Sequence, residues 1–363
     1  MRSRAILTVV LLLPLTVLAQ DTLAQPAKKA VPSSPEQKQL IAQGVQLHDR
    51  GDYTGAIAIY QRVLAENPDN ATALHELGFS YFTKKDYAQC IETCRRGLLL
   101  DSPELANFYI NMGNCQDSSG KSDDAMRTYQ QGLVAAPASF MLHFNIGIAW
   151  LIKGDAEKAK PSFQRALAIN PRHSSTHLRL AAAYQRLQYE VPAIMAMSTF
   201  LALEPASARS PQAVEMLRGL LNGGAKAGDA KGHINITVNS GQPTDEGDFG
   251  TASTALALSA GASLNKSEYD RIVSSYTLLT ELLAREPNKK DGKNQKTGFA
   301  TQFYIPFFAE LSRRHFVEAF VHQGFDSYFV TLPASERKPA PANYNDYETW
   351  LGNYQWPKVE VKP

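Results

Sequence analysis

Three residues near the C-terminus have the types and the spacing that a metal site requires. His315, Glu318 and His322 stand at positions i, i+3 and i+7, which one straight helix would place on a single face. Imidazole and carboxylate groups arranged in this way are typical zinc ligands. The apolar face before Arg313 does not continue in register after it, so we expect His315 to lie in a turn. Since no second cluster completes the set, the sequence predicts no metal site.

Motifs of other catalytic chemistries are missing from the sequence. It contains no G-x-S-x-G elbow, no H-E-x-x-H motif, no phosphate-cradling loop and no Cys/His pair at a plausible spacing. A triad built from distant residues would leave no such local signal. We therefore predict a protein without enzyme activity and without a cofactor. An enzyme or ligand-binding module in residues 233–330 is the alternative.

The three cysteines are Cys90, Cys94 and Cys115. Cys90 and Cys94 are separated by one turn of a helix, which suits a disulfide poorly. We expect all three to be small buried thiols. The alternative is a Cys94–Cys115 bridge, which would leave one thiol free.

The first nineteen residues have the organisation of a secretory signal peptide. Arg2 and Arg4 precede an apolar run from Ala5 to Leu18, and a tolerated cleavage position follows at Ala19. The run is shorter than the ~20 residues that a membrane-spanning helix needs. We predict cleavage after Ala19, a periplasmic or secreted location, and no transmembrane span after cleavage.

The charge balance argues against nucleic acid as a partner. The chain holds 37 Lys and Arg residues against 35 Asp and Glu residues, and the loss of Arg2 and Arg4 leaves 35 of each. Nucleic-acid-binding domains usually carry a basic surplus. The sequence does not predict an oligomeric state.

A repeat of 34 or 35 residues organises the first half of the chain. One register holds small residues: Gly44, Gly78, Gly113, Gly147 and Ala181. A second register holds Ala56, Cys90, Ala125, Ala159 and Ala193. A third, mostly aromatic register holds Tyr60, Cys94, Tyr129, Phe163 and Met197. Prolines close the segments at Pro68, Pro103, Pro137, Pro171 and Pro205.

These registers together resemble the tetratricopeptide-repeat family. Five copies run over residues 37–70, 71–105, 106–139, 140–173 and 174–207. The resemblance implies paired antiparallel helices that stack, because one hairpin alone cannot bury its apolar face. The predicted fold class is all-α: a solenoid of about five repeats over residues 37–222, followed by a mostly helical C-terminal region. Residues 210–222 are predicted to be a capping helix with a solvated outer face, with Ser210 as its N-cap.

In this family the first helix of each repeat lines a concave surface. Carried over by register, the predicted groove consists of His75, Phe79, Phe82, Ile110, Asn111, Asn114, Phe144, Asn145, Ile148, Leu151, Arg179 and Arg186. Relatives that grip the C-terminal carboxylates of chaperones use Lys and Arg there, and this chain lacks most of those groups. An apolar centre with Asn side chains suits an extended peptide or an amphipathic helix of a protein partner. Alternatively, these aromatics pack between repeats or lie under the chain's own C-terminal segment.

The 34-residue period disappears after residue 222. The predicted order is a linker at 223–232, a mainly helical domain at 233–330 and a Pro/aromatic-rich tail at 331–363; at the other end, 20–36 is a flexible segment. Within the domain we expect a short strand at 233–238, helices at 249–264 and 267–285, a solvated lysine-rich loop at 286–296 and a degenerate helical hairpin at 299–329. That hairpin holds ten Phe and Tyr residues, which favours a buried core. We expect the tail to be extended, with its aromatics docked on the chain's own body; the alternative is a recognition segment for another protein.

The function predicted from the sequence is an exported scaffold that binds a protein or peptide in its apolar groove. The alternatives are the C-terminal enzyme or ligand-binding module and a self-associating structural unit.

Overall fold

A computed structural model describes residues 28–222, 226–227, 234–235, 244–285 and 298–361. The predicted signal peptide and the lysine-rich stretch 286–296 lie outside these residues. No helix in the described part is both long enough and apolar enough to cross a bilayer. The chain divides into two compact units, residues 1–108 and 109–363.

The first unit is built from helices that pack in chain order. They are α1 (Pro35–Asp49), α2 (Tyr53–Glu66), α3 (Ala71–Thr83), α4 (Tyr87–Gly97) and the start of α5 (Leu105–Ser118). Helix α1 packs on α2, α2 on α3 and α3 on α4, as stacked hairpins require. A capping box fixes the start of α1: the Ser34 hydroxyl accepts from the N–H of Gln37 at 3.2 Å, and the Gln37 side chain accepts from the N–H of Ser34.

An extended segment before α1 runs along the inter-helix loops of the first unit. Strand β1 (Lys28–Lys29) pairs in parallel with β2 (Leu100–Asp101). Further along, the N–H of Val31 donates to the carbonyl oxygen of Asp69 at 3.0 Å. The Asn67 amide donates to the carbonyl oxygen of Val31 at 3.3 Å. The segment from residue 28 onward is therefore tied to two successive loops.

The second unit contains further repeat helices and a C-terminal module. Its repeat helices are α6 (Ser122–Ala135), α7 (Phe140–Ile152), α8 (Ala156–Ile169), α9 (Ser174–Arg186), α10 (Glu190–Leu203) and α11 (Ser210–Leu221). A two-stranded antiparallel pair follows, β3 (Lys226–Ala227) and β4 (Ile234–Asn235). The C-terminal module comprises residues 244–361 as described, with α12 (Gly250–Ala262), α13 (Glu268–Ala284), α14 (Phe299–Phe303), α15 (Ile305–Arg313), α16 (Val317–Phe329), a 3₁₀ turn (Ala334–Glu336) and α17 (Tyr344–Asn353). The predicted all-α class is confirmed, and the short strand prediction is met by β4.

Three of the five repeat hairpins are held by a ring from the second helix that lies on a glycine of the first helix. A Cβ atom on Gly147 would lie 2.5 Å from the ring of Phe163, so only glycine fits there. Gly113 faces Tyr129 and Gly44 faces Tyr60 in the same way. The recurring small and aromatic registers of the sequence are therefore the two halves of one contact.

The predicted degenerate hairpin is confirmed by α15 and α16. In the repeat turn at Gly154, the glycine N–H donates to the carbonyl oxygen of Leu151 at 3.1 Å and φ is +83°. In the α15–α16 turn the N–H of His315 donates to the carbonyl oxygen of Ser312 at 3.1 Å, with φ of +56°. The next residue also bonds back to the fifth residue before it in both turns.

In the hairpin of α15 and α16, a large residue takes the first-helix position of the repeat glycine and a glycine takes the second-helix position of the repeat aromatic. Counting from the turn, Phe308 stands where the repeats place glycine, and Gly324 stands where they place an aromatic ring. Phe308 is fully buried, and Gly324 brings α16 close to Leu201 of α10. This exchange explains why the hairpin escapes the repeat registers of the sequence.

Helix α11 is not a solvated cap. It contacts α12, α13 and α16 as well as α10, and its apolar side chains belong to the same core as the C-terminal module. Ser210 is the first helical residue rather than the N-cap, and its hydroxyl donates to the carbonyl oxygen of Glu204 at 2.8 Å. The prediction of a polar end to the stack was wrong because the module supplies an apolar surface that covers α11.

The tail packs on the chain's own module, as favoured from the sequence, although residues 344–353 are helical rather than extended. The Trp356 ring stacks on Phe303 with centroids 5.2 Å apart and on Phe307 with centroids 5.1 Å apart. Trp350 stacks on Phe307 at 5.3 Å. The aromatics of residues 299–329 are thus a core, and the tail completes it.

We predict that Gly147→Ala lowers the free energy of unfolding by about 2 kcal/mol, because the new methyl group overlaps the Phe163 ring. Gly219→Ala is the matched control, since a Cβ atom there meets nothing within 4 Å. This control should stabilise its helix by up to ~1 kcal/mol through helix propensity. Urea unfolding of both variants checks the prediction, and equal stabilities would contradict it.

Candidate partner-binding site

The first unit presents a row of aromatic rings, hereafter the aromatic row, formed by His48, Tyr53, Phe79, Phe82 and Tyr87. The His48 ring stacks on Phe79 with centroids 4.8 Å apart and meets the edge of Tyr53 at 5.0 Å. Phe82 lies 6.5 Å from Phe79 and 6.4 Å from Tyr87. Helices α1 and α3, the first helices of their hairpins, position the three central rings.

The aromatic row is both fixed and accessible. The Nδ1 atom of His48 lies 2.8 Å from the Ser80 hydroxyl, which holds the imidazole against Phe79. Phe79 remains 39% exposed, a large fraction for a phenylalanine packed between two other rings. His75 is half-buried one turn away, with its edge towards Phe108. Of the predicted groove residues in this unit, Phe79 therefore offers the most surface.

In the second unit, Phe144 is half-buried and is the centre of a smaller aromatic patch. Its ring lies 5.1 Å from His173 and 6.0 Å from Phe163. Phe140 meets the same imidazole at 5.1 Å. Ile148 is half-buried on the same helix.

The asparagine side chains of the predicted groove connect helices. The Asn114 carboxamide oxygen accepts a hydrogen bond from the Tyr129 hydroxyl at 2.7 Å and another from the Asn145 amide at 3.2 Å. These bonds join α5, α6 and α7. Asn111 is 5% exposed and lies within the packed interior. The amides therefore serve the array itself, a role that the sequence pattern did not reveal.

The other predicted groove residues differ widely in exposure. Ile110 and Leu151 are buried and offer little surface to a partner. Arg186 is exposed but donates from Nη1 to the carbonyl oxygen of Leu151 at 2.5 Å, near the C-terminal end of α7. Arg179 is exposed on α9.

A polar cluster with buried Lys160, Gln164 and Glu246 and exposed Asp245 joins α8 to the C-terminal module. No sequence pattern indicated it. The Lys160 ammonium, on a side chain only 5% exposed, binds Asp245 at 2.5 Å. The neighbouring Glu246 carboxylate accepts from the Gln164 amide at 2.5 Å and from the N–H of Ala300 at 2.7 Å. Burial raises the pKa of Glu246, while the Ala300 N–H and the Lys160 charge oppose the rise.

His177 is fully buried beside this cluster. Its Nε2 atom lies 2.9 Å from the carbonyl oxygen of Pro171, so Nε2 carries the proton. Its Nδ1 atom accepts from the Tyr304 hydroxyl at 2.8 Å. Burial lowers the pKa of His177 to about 3, so the ring is neutral at physiological pH.

The three residues considered as metal ligands do not share a helix face. His315 lies in the turn before α16, as predicted, and Glu318 accepts from the Tyr269 hydroxyl at 3.1 Å. His322 meets the edge of Tyr344. Among the residues that the structure describes, no group of metal-ligating side chains comes together.

The prediction of buried free thiols was wrong for Cys90 and Cys115 and correct for Cys94, and the alternative Cys94–Cys115 bridge was wrong. Cys90 and Cys115 are each disulfide-bonded, and Cys94 is a buried free thiol whose pKa burial raises to about 12. Cys94 occupies the aromatic register of its repeat, and its sulfur faces Gly78. Its side chain therefore points into its own hairpin, which removes it from any bridge.

Three family models match the array. One described as TPR repeat matches residues 44–85, and two described as tetratricopeptide repeat match residues 71–103 and 112–174. The chain is a tetratricopeptide-repeat protein. Repeats of this family generally mediate protein–protein interaction, and proteins built from them are generally non-enzymatic scaffolds.

Curated relatives match less than half of this chain. Human tetratricopeptide repeat protein 28 is 24% identical over 153 residues, which cover 42% of this chain and 6% of that protein. The BBSome complex member bbs-4 of Caenorhabditis elegans is 22% identical over 172 residues, 47% of this chain and 37% of that protein. The human SGT1 homolog is 28% identical over 113 residues, 31% of each chain. The chain thus spans well under half the length of each relative.

Solved structures match about half of this chain and most of their own length. The thermophilic TPR protein TTC0263 of Thermus thermophilus is 20% identical, with a TM-score of 0.42, over 51% of this chain and 98% of that one. Pseudomonas aeruginosa pilF is 20% identical, with a TM-score of 0.42, over 51% and 88%. MamA is 22% identical, with a TM-score of 0.38, over 45% and 94%.

We predict that His177→Gln makes the free energy of unfolding less dependent on pH. The unfolded chain binds a proton on His177 near pH 6.5 and the folded chain only near pH 3, so wild-type stability is lost as the pH falls below 6.5. Between pH 7 and pH 5 the wild type should lose roughly 2 kcal/mol more than the variant. Glu246, whose pKa is raised, acts in the opposite direction in both proteins, so the comparison isolates His177. Parallel stability curves would contradict the assignment.

Proposed function

We propose that the aromatic row binds an apolar segment of a partner protein. The supporting observation is the exposure of Phe79 within a stack of fixed rings, since exposed aromatic surface on a rigid support is typical of interaction sites. The rings are already ordered in the free protein, so binding loses little side-chain entropy there. An extended peptide or the apolar face of a helix both fit this surface.

The patch around Phe144 is the second part of the proposal. It offers a half-buried ring with Ile148 beside it, on a helix braced by the bonds between Asn114 and Asn145. Because the carboxamide oxygen of Asn114 already accepts two bonds, this site recognises apolar side chains more than peptide backbone.

Export is also part of the proposal. The supporting features are Arg2 and Arg4, the apolar run that follows them and the disulfide-bonded state of Cys90 and Cys115, which suits an oxidising compartment. The partner would then be a protein of the cell envelope or the extracellular space.

Peptides selected from a displayed random library on the full chain test the aromatic row. We predict that Phe79→Ala weakens the selected peptides by at least about tenfold, because truncating a central aromatic anchor usually costs more than ~1.4 kcal/mol. Fluorescence polarisation with labelled peptides measures the change.

Leu99→Ala is the matched control, since Leu99 is a similarly exposed apolar residue of the same unit outside the aromatic row. Phe144→Ala tests the second patch separately. If the Phe79→Ala, Phe82→Ala and Phe144→Ala variants all bound the selected peptides with wild-type affinity, the proposal would be wrong.

Expression of the full chain in a Gram-negative host tests export. We predict a periplasmic protein whose first residue is Gln20, because the signal peptidase reads the small residue at Ala19. Intact-mass and N-terminal peptide analysis of the fractionated cells measures this. A cytoplasmic protein that retains Arg2 and Arg4 would overturn the export proposal and leave the aromatic row untouched.

A further inference from the structure

A cleft opens on the C-terminal module, between the last turn of α15 and one face of α17. Its volume is about 560 Å³, within the range of small-molecule sites. We name it the C-terminal cleft and define it by Glu310, Arg314, Phe316, Asp346, Trp350 and Gln355. It lies far along the chain from the aromatic row and shares no residue with it.

The wall from α17 is rigid. Asp346, Thr349, Trp350 and Asn353 all line the cleft and stand at positions i, i+3, i+4 and i+7, which share one helix face. Polar side chains at both ends of this row flank the indole ring.

The indole ring of Trp350 is fixed from several sides. It stacks on Phe307 at 5.3 Å with 21° between the planes, and Tyr354 lies 5.2 Å away. Its Nε1 atom donates to Oε2 of Glu310 at 3.2 Å. The Nε atom of Arg314 donates to the same oxygen at 3.0 Å. The aromatic floor of the cleft is therefore set before any ligand arrives.

The polar groups of the cleft define the ligand's chemistry. Glu310 and Asp346 carry two negative charges against one positive charge on Arg314, which disfavours an anion. The side-chain oxygens that line the cleft are mostly hydrogen-bond acceptors. They belong to the two carboxylates and to the side-chain carbonyls of Asn353 and Gln355. A matching ligand donates several hydrogen bonds and also has a flat apolar face for the indole ring.

A neutral sugar chain meets both requirements, because its hydroxyl groups donate hydrogen bonds and one face of each ring carries C–H groups. A lone ammonium group would match the carboxylates but would leave most of the 560 Å³ unfilled. We propose that the C-terminal cleft binds a neutral oligosaccharide, with about two or three sugar rings in contact. This site is independent of the proposed protein-binding surface.

The probes are three neutral tetrasaccharides, of β-1,4-linked glucose, β-1,4-linked N-acetylglucosamine and α-1,6-linked mannose. The de-N-acetylated form of the second is the cationic comparison. Titration calorimetry on the full chain, with tryptophan fluorescence as a second readout, should show binding of at least one neutral probe with a dissociation constant on the order of 0.1–1 mM.

Arg314→Gln and Asp346→Asn each remove one charged contact at the exposed rim and should weaken that binding by about tenfold. Glu281→Gln, on α13 outside the cleft, is the control and should leave it unchanged. Trp350→Phe retains an aromatic ring for packing on Phe307 but should reduce the fluorescence response.

No binding of any neutral probe up to about 5 mM would overturn the proposal. Binding of the cationic tetramer alone would overturn it as well, in favour of a cation site. Equal binding by wild type, Arg314→Gln and Asp346→Asn would place the sugar elsewhere and would also overturn it.

Discussion

The contact between a first-helix glycine and a second-helix ring determines how the helices pack in three of the five repeat hairpins. Without a side chain at Gly147, the ring of Phe163 lies directly on the backbone of α7 and the two helices approach closely. The same contact between Gly44 and Tyr60 fixes α1 against α2. In the α3–α4 hairpin the small sulfur of Cys94 takes the place of the ring against Gly78. The next residue of α3, Phe79, remains 39% exposed.

The α15–α16 hairpin keeps the backbone bonds of a repeat turn but not the glycine–ring contact. Phe308 stands where the repeats have glycine, and Gly324 faces Leu201 of α10 rather than Phe308. The hairpin also packs on α10 through Gly324, so the module extends the core of the array. This shared core explains why α11, which would end an isolated stack, is covered.

The parts of the structure that follow from local spacing were predictable, and those that depend on distant pairs were not. The repeat registers predicted the hairpins, and the break in the apolar face at Arg313 predicted the turn at His315. By contrast, Lys160 and Asp245 are 85 residues apart in the chain, and no periodic pattern links them. The burial of Asn111 and the connecting bonds of Asn114 depend on neighbours from other helices. For the same reason, the repeat register could not predict how much surface each of the proposed groove residues retains.

The two surfaces differ in the way they are stabilised. The aromatic row is supported by the repeat hairpins alone, whereas the C-terminal cleft depends on the tail, whose Trp350 is held by Phe307 and Glu310. We propose that the chain combines a repeat surface for a protein with a module of separate chemistry.

The most direct test of the central claim is hydrogen–deuterium exchange of the full chain with and without a selected partner peptide. The account predicts added protection in α1 and α3, around His48 and from His75 to Phe82, with little change in the C-terminal module. Protection confined to residues 244–361, with α1 and α3 unchanged, would contradict it.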